Sequence, residues 1–217
     1  MASEMFGPIV CRRGKDMCGR CTLFTDREIQ ELEAIIAKID EDAGKSKMKT
    51  GEIFPSDFVP VLLNEQNIVK PRLFTWGFPG LKNKQLIINA RAETAGEKTM
   101  FRRALDNGRC VIPSTGFYEW DEKKRKYLFS LPGSGMLYMA GLYGRFDEEH
   151  CFVILTRDAN ASVSPIHHRM PVVVRKTEIR DWLFNRASAS AILSGAGPEL
   201  LVMRQDSKET VRSRPGA

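Results

Sequence analysis

The pattern of apolar and polar positions predicts one helix near the start of the chain, followed mainly by short strands. Residues 25–42 carry isoleucine and leucine three and four positions apart, which is the period of an amphipathic helix. Thr25 followed by Glu28 is a capping-box sequence, typical of a helix start. Further along, apolar or β-branched runs bounded by turn residues predict strands. They cover residues 59–63, 85–88, 110–112, 127–131, 136–143, 151–156 and 172–174.

The order of these elements favours an α+β fold. The sequence Pro132-Gly133-Ser134-Gly135 predicts a turn, and hence a hairpin between residues 127–131 and 136–143. Short helices are predicted over residues 97–106 and 177–185. Because helices do not alternate regularly with strands, we expect a single compact domain of mostly antiparallel strands with a few flanking helices.

Composition agrees with a globular protein that works inside the cell. The 217 residues are 42% hydrophobic and 28% charged, and no apolar run approaches the roughly 20 residues needed to cross a bilayer. Residues 1–16 lack the continuous apolar segment of a secretory signal, so a cytoplasmic location is expected. The five cysteines are an odd number, which favours reduced thiols over a disulfide framework.

The net charge and the two ends of the chain say little about function. The net charge of +6 is compatible with an anionic partner such as nucleic acid but does not by itself indicate one. The chain divides into residues 1–16, interpreted as a leader or a misassigned start, a domain over residues 17–203, and a polar tail over residues 204–217.

The first segment with candidate chemistry is Met17-Cys18-Gly19-Arg20. If the mature chain begins at Cys18, the residue has a thiol and a free α-amine on adjacent carbons. The amine has an ordinary pKa of ~7.7–8.0, so a neutral fraction is available to attack an aldehyde and form an imine. The thiol then closes on the imine to give a thiazolidine. From composition alone, the interpretation of Cys18 as a small buried hydrophobic residue is favoured.

A second segment, Asn89-Ala90-Arg91-Ala92-Glu93, directly follows a predicted strand. On an extended chain Asn89, Arg91 and Glu93 lie on one face, where the guanidinium can pair with a phosphate. An edge strand with a solvated polar face is the alternative interpretation.

A third segment, residues 113–120, places Glu119 between Tyr118 and Trp120. A carboxyl group among aromatic rings is a candidate general acid or base, and the rings offer faces for stacking of bases. An aromatic core cluster with Glu119 in solvent remains the alternative.

A fourth segment, residues 166–171, contains two of the chain's three histidines, His167 and His168, followed by Arg169. Histidine transfers protons near neutral pH, and Arg169 is a second candidate phosphate contact. The alternative is a loop that leads into the strand at residues 172–174.

Together these segments resemble the SRAP family, the SOS response-associated peptidases also described as abasic-site processing proteins. The resemblance covers residues 17 to about 201 and rests on ordered motifs: MCGR at 17–20, WGFPG at 76–80, NARAET at 89–94, RCVIPSTGFYEW at 109–120 and IHHRMP at 166–171. Each motif is weakly specific alone, but their order and spacing are highly specific.

The resemblance implies a DNA-damage function: covalent crosslinking to abasic sites in single-stranded DNA through a thiazolidine at Cys18, a lyase-like activity, with a possible autopeptidase activity that exposes Cys18. It implies that Asn89 orients the terminus and the sugar, that Glu119 moves protons during ring opening and imine formation, and that His167 assists proton transfer. It further implies DNA contacts by Arg20, Arg91, Arg169, Trp76 and Trp120. No cofactor, metal or membrane is implied, and we expect a monomer that associates with the nucleoid when acting on DNA.

The sequence departs from the family pattern in three places. Residues 51–56 read GEIFPS where many members have Tyr-Asn-x-Ala-Pro, and His168 stands where members often have Asp. Residues 1–17 precede Cys18, which has no free α-amine while they remain attached. Three explanations remain open: a misassigned start, removal of the leader by the protein itself, or a leader that persists on an inactive form. We favour a start at Met17 and expect the active protein to begin at Cys18.

Other classes of function remain possible from the sequence. An N-terminal-cysteine glutaminase would use Cys18 to attack an amide, but no Gly-Asp pair follows Asn107-Gly108. A non-catalytic single-stranded DNA-binding module would account for the arginines and tryptophans, but not for Cys18, Glu119 and His167 together. Metal binding is disfavoured because Cys18 and Cys21 form a single C-x-x-C pair without a second pair.

Overall fold

A computed structural model describes residues 19–24, 30–39, 48–80, 85–133 and 135–205. Its helices are α1 (Gln30–Ala37), α2 (Thr99–Asn107), α3 (Ile179–Phe184) and α4 (Arg186–Ser194). Its strands are β1 (Cys21–Leu23), β2 (Gly51–Ile53), β3 (Phe58–Glu65), β4 (Ile68–Trp76), β5 (Phe78–Pro79), β6 (Leu86–Ile87), β7 (Asn89–Arg91), β8 (Arg109–Ser114), β9 (Gly116–Trp120), β10 (Lys126–Ser130), β11 (Leu137–Phe146), β12 (Glu149–Asp158), β13 (Arg169–Pro171), β14 (Val173–Val174) and β15 (Leu201–Gln205).

Five strands close a ring around the core. In this ring β12 pairs with β4, β4 with β3, β3 with β8, β8 with β11, and β11 with β12. Strands β7, β13 and β14 extend it, and β5 and β6 form a separate pair. Among the pairings between these strands, those of β12 with β4 and with β7 are parallel, and the others are antiparallel. The expected α+β domain of mostly antiparallel strands is confirmed.

A second sheet of five strands, in the order β15-β10-β9-β1-β2, packs beside the ring and contributes to the same hydrophobic core. The chain passes from the ring to this sheet at Thr115, between β8 and β9. The Ser114 hydroxyl lies 2.8 Å from the Thr22 carbonyl oxygen and accepts a hydrogen bond from the Gly116 backbone N–H. A β-carbon at Gly116 would lie 2.5 Å from the Phe129 carbonyl oxygen, so this crossing requires glycine. The crossing fixes the direction of β9, which carries Glu119.

Helices α2 and α3 are fastened to the ring by one buried arginine. The Arg109 guanidinium donates hydrogen bonds to the carbonyl oxygens of Leu105 and Asp106 at the end of α2, and of Trp182 and Leu183 in α3. These carbonyls lack partners within their helices, and the positive charge also suits the negative end of the helix dipole. None of the helices in this described part of the chain combines the length and apolar composition needed to span a membrane.

The predicted hairpin between residues 127–131 and 136–143 is wrong. Strand β10 pairs with β9 and β15, whereas β11 pairs with β8, β12 and β14 in the ring. The Pro-Gly-Ser-Gly segment marks a connection, but a turn sequence does not specify the partner of each strand. Here the connection crosses from one sheet to the other.

Other predicted elements fall where expected, with shifted bounds. Helix α1 lies within the predicted residues 25–42, although Thr25 and Glu28 lie outside the described residues. The pattern did not predict β1, β2, β4, β5, β9, β13, β15 or α4. Strand β15 continues to Gln205, two residues into the segment interpreted as a tail.

Candidate functional site

The described chain begins at Gly19 and Arg20, which lie against β9. Strand β1 pairs with β9 through Thr22 opposite Gly116 and Cys21 opposite Phe117. The same antiparallel register continues outward, because the Tyr118 backbone N–H donates to the Arg20 carbonyl oxygen at 2.9 Å. A β-carbon on Gly19 would lie 3.8 Å from the Ile88 side chain. Residues 19 and 20 are therefore held between β9 and the start of β7.

Glu119 and His167 come together although they are 48 positions apart in the sequence. The Glu119 carboxylate is buried, and one of its oxygens lies 3.9 Å from Nδ1 of His167. The same Nδ1 lies 3.2 Å from the Arg169 backbone nitrogen and 3.1 Å from the Arg169 carbonyl oxygen. It can thus accept a hydrogen bond when unprotonated and donate one when protonated. One ring nitrogen therefore has a backbone nitrogen, a backbone carbonyl oxygen and a carboxylate beside it.

Asn89 and Arg91 lie on β7, which pairs in parallel with β12. Asn89 is half-buried, Ala90 is buried and Arg91 is exposed, so the predicted alternation is present. Glu93 lies in the turn beyond the strand, where its two carboxylate oxygens each accept a hydrogen bond from Arg169 at 2.7 Å. Arg91 therefore remains available to a solute, whereas Glu93 is engaged within the protein.

Arg169 does not lie on an open surface. The residue is 4% exposed, and its guanidinium binds Glu93, the Asp158 carboxylate and the Thr156 carbonyl oxygen. The expectation of an Arg169 contact with the DNA backbone is corrected accordingly, because these acceptors already bind the guanidinium. The side chain instead ties the turn after β7 to the strand that follows His167.

The expectation that Trp76 contacts DNA is also corrected. Its indole is fully buried, donates a hydrogen bond of 3.0 Å to the Ile88 carbonyl oxygen and stacks on Phe152. No face of this ring is open for a base. Because Ile88 directly precedes Asn89, the Trp76 hydrogen bond holds the strand that carries Asn89.

Arg20 and Trp120 do lie together, on the outer face of the five-stranded sheet. The Arg20 guanidinium lies between two rings, 4.5 Å from the centroid of Phe54 and 4.9 Å from that of Trp120. The ammonium of Lys126 lies 3.7 Å from the ring centroid of Tyr118. Cations over aromatic faces are a common arrangement at single-strand nucleic-acid surfaces.

Sequence reasoning missed three members of this group: Glu52, Phe54 and Lys126. Glu52 accepts from Arg20 at 2.9 Å and from Lys126 at 2.6 Å. Burial disfavours its ionisation, but the hydrogen bonds from Lys126 and Arg20 outweigh burial, so the pKa of Glu52 is below its ordinary value. No local sequence signal indicates these residues, because Lys126 reaches the group only through the cross-strand register that places it opposite Trp120.

The three described cysteines are poor nucleophiles. Burial raises the pKa of the Cys21 thiol to about 12 and that of Cys151 to about 11, and it also raises the pKa of Cys110. The reactive form of cysteine is the thiolate, which these pKa values suppress near neutral pH. Cys11 and Cys18 lie outside the described residues, and within those residues no group of three or more His, Cys, Asp or Glu is arranged to hold a metal.

The Glu93–Arg169 contact predicts a stability that depends on pH. The Arg169 hydrogen bonds lower the pKa of Glu93 to about 2, against about 4.3 in an unfolded chain. Because the folded pKa is the lower one, the contribution is complete above about pH 5 and is lost as pH falls toward 2. We expect the difference in free energy of unfolding between the unmodified protein and Glu93→Gln to shrink from pH 5 to pH 3 in urea titrations.

The exposed Glu97 provides the control for this measurement, because Glu97→Gln removes the same charge four positions away. A Glu93→Gln difference that stays constant from pH 5 to pH 3 contradicts the assignment.

The chain is similar to proteins of one family. Residues 17–208 match the family model described as SOS response associated peptidase (SRAP). The abasic site processing protein YoaM of Bacillus subtilis is 32% identical over 184 residues, 77% of this chain and 79% of that protein. The abasic site processing protein YedK of Escherichia coli is 29% identical over 179 residues, with 77% and 79% covered.

Solved structures share the fold. A crystal structure of a Bacteroides thetaiotaomicron protein superposes with a TM-score of 0.70 at 22% identity, covering 88% of this chain and 93% of that one. A Bordetella bronchiseptica protein gives the same TM-score at 19% identity and is covered over its full length, against 87% of this chain.

Proposed function

Because the chain belongs to the SOS response associated peptidase (SRAP) family, whose curated relatives are abasic site processing proteins, we propose that it crosslinks covalently to abasic sites in single-stranded DNA. Abasic-site processing is the function supported at the level of the family. The finer proposal assigns the bond to Cys18 as the first residue of the mature protein.

The proposed chemistry has two steps that together release one water. The abasic deoxyribose opens to its aldehyde, and the Cys18 α-amine adds to that carbon and expels water to give an imine. The Cys18 thiol then adds to the imine carbon, and the nitrogen takes up the thiol proton. The product is a five-membered thiazolidine that joins the protein to the sugar.

The observation that carries the proposal is the position of Gly19. Gly19, the residue that follows Cys18 in the sequence, precedes Arg20, whose carbonyl oxygen accepts from the Tyr118 backbone N–H of β9. Glu119 on the same strand and His167 together supply a buried carboxylate and an imidazole ring. Such a pair serves the proton transfers of ring opening, dehydration and reversal.

The remaining assigned residues bind and orient. We assign Asn89 to the Cys18 terminus and the sugar, since a β-carbon on Gly19 would lie 3.8 Å from the side chain of Ile88, the residue before Asn89. We assign Arg91, which is exposed, to a phosphate, and Arg20 with Trp120 to the strand next to the abasic site. We further propose that the protein is a cytoplasmic monomer that associates with the nucleoid when it acts on abasic sites in single-stranded DNA.

The free α-amine makes the activity conditional on the removal or absence of residues 1–17. We expect protein that begins at Cys18 to form a heat-stable band with single-stranded DNA containing one abasic site on a denaturing gel. Protein with residues 1–17 retained, confirmed by intact mass, forms none until the leader is lost. If crosslinking and leader loss appear together on incubation of purified protein, self-processing is supported.

The outcome that contradicts the proposal is a crosslink by protein whose leader is retained, or no crosslink by protein with a confirmed Cys18 terminus. Release of ammonia from glutamine by the latter protein would favour the glutaminase alternative. Binding without any crosslink would favour a non-catalytic single-strand binding module.

A further inference from the structure

A carboxylate occupies the place between two cations on the outer face of the five-stranded sheet. A single oxygen of Glu52, Oε1, accepts from Nη1 of Arg20 at 2.9 Å and from Nζ of Lys126 at 2.6 Å. Both cations are also held over aromatic rings, Arg20 over Phe54 and Trp120, and Lys126 over Tyr118. The cations therefore keep contacts that fix their positions even when the carboxylate moves away.

The three charged side chains are reachable from solvent. The side chains of Arg20, Glu52 and Lys126 are 32%, 31% and 25% exposed. Glu52 remains ionised at neutral pH, because its pKa lies below the ordinary value. An ionic solute that approaches this face thus meets two cations that an internal anion already neutralises in part.

A second ion triplet in the chain has the same charges without the rings. Glu65 accepts from Arg72 at 2.5 Å and lies 4.0 Å from Lys70, and the Glu65 side chain is also 31% exposed. Within the part of the chain that the structure describes, neither Lys70 nor Arg72 lies over an aromatic ring. Glu65 is therefore a matched control: Glu65→Gln makes the same change of charge as Glu52→Gln, but on β3 of the ring and not beside Trp120 on β9.

We propose that Arg20 and Lys126 form a subsite for a phosphodiester of single-stranded DNA, and that Glu52 fills this subsite until the phosphate displaces it. The subsite rests on the proposed function; it adds Lys126 to the DNA-contacting residues and makes Glu52 a competitor of the phosphate. A phosphodiester has two non-bridging oxygens, so one oxygen can accept from each cation. The rings of Phe54 and Trp120 on either side of Arg20 offer stacking faces for the bases next to that phosphate.

The internal carboxylate has a measurable consequence for affinity. Binding of a phosphate must first break the two ion pairs of Glu52, which lowers affinity and reduces the number of counterions released. Glu52→Gln removes the competing charge and leaves both cations in place over their rings. We expect this variant to bind an unmodified single-stranded oligonucleotide roughly five- to tenfold more tightly, with the salt slope steeper by about 0.7.

The test measures fluorescence anisotropy of a labelled single-stranded oligonucleotide without abasic sites, across a series of salt concentrations. Glu65→Gln adds the same net charge, and we expect it to change affinity less than about twofold. In the Glu52→Gln background, Lys126→Met lowers affinity several-fold, whereas Lys70→Met does not. Thermal melts confirm that each variant is folded.

Two outcomes overturn the subsite. One is a Glu52→Gln affinity equal to that of Glu65→Gln or weaker, which would mean that Glu52 only orders its neighbours. The other is an affinity that Lys126→Met leaves unchanged in the Glu52→Gln background. Because this binding needs no Cys18 chemistry, normal crosslinking to abasic DNA alongside either outcome rejects the subsite and leaves the proposed function standing. Tighter binding by Glu52→Gln, without crosslinking by protein that begins at Cys18, supports the subsite and rejects the proposed function.

Discussion

Serine in place of Cys18, in protein that begins at residue 18, is expected to abolish the heat-stable crosslink to abasic single-stranded DNA. The variant retains the α-amine and can form the imine. A serine hydroxyl is a far weaker nucleophile than a thiol, so the ring does not close and the imine hydrolyses. A denaturing gel after heating measures the loss, and borohydride added during incubation should recover a band by trapping the imine.

Cys21→Ala is the control for this experiment. Cys21 lies three positions away but is buried with a pKa of about 12, so its thiol takes no part in the chemistry. A wild-type yield of heat-stable crosslink from Cys18→Ser without reductant would contradict the thiazolidine.

Glutamine in place of Glu119 is expected to slow crosslink formation by about 10²–10⁴-fold, the usual contribution of a positioned general acid or base. The amide keeps the size of the side chain and neither gives nor takes a proton at neutral pH. Binding to unmodified single-stranded DNA should change little, because Glu119 is buried and faces His167 rather than the open surface. Rates from samples quenched at successive times, with substrate in excess, separate the two effects.

The exposed Glu122, in the turn after β9, supplies the matched control as Glu122→Gln. A Glu119→Gln rate within about threefold of the Glu122→Gln rate, in protein that melts normally, would remove Glu119 from the proton transfers.

The sequence predicted the elements of the ring better than their partners. Apolar runs at residues 110–112 and 151–156 became the buried strands β8 and β12, because a strand covered on both faces is apolar throughout. The turn at residues 132–135 was equally visible, yet the strands on either side lie in different sheets. Which strands pair depends on contacts far apart in the chain, and no local pattern contains them.

Strand β4 was missed for a related reason. Its residues include Lys70, Pro71 and Arg72, which interrupt the apolar pattern. The Arg72 side chain pairs with Glu65 on the neighbouring β3, so this charge is accommodated by a contact that only the folded chain provides.

The motifs placed the candidate site more accurately than they assigned its contacts. Glu119 and His167 lie 3.9 Å apart, whereas Trp76 and Arg169 are buried and fasten the neighbouring backbone. The sequence of a motif does not show whether its tryptophan or arginine contacts a ligand or a carbonyl group of the protein itself. Burial decides between these roles, and burial follows from the assembled sheets.

Mass spectrometry of the digested crosslink tests the central proposal most directly. Trypsin cleaves after Arg20, so a nuclease- and trypsin-treated crosslink should yield the peptide Cys18-Gly19-Arg20 joined to one abasic nucleotide. The proposed thiazolidine predicts a mass equal to the sum of the two parts less one water, without any reductant. An adduct on a peptide that still contains Asp16 and Met17, or on a lysine elsewhere in the chain, would contradict it.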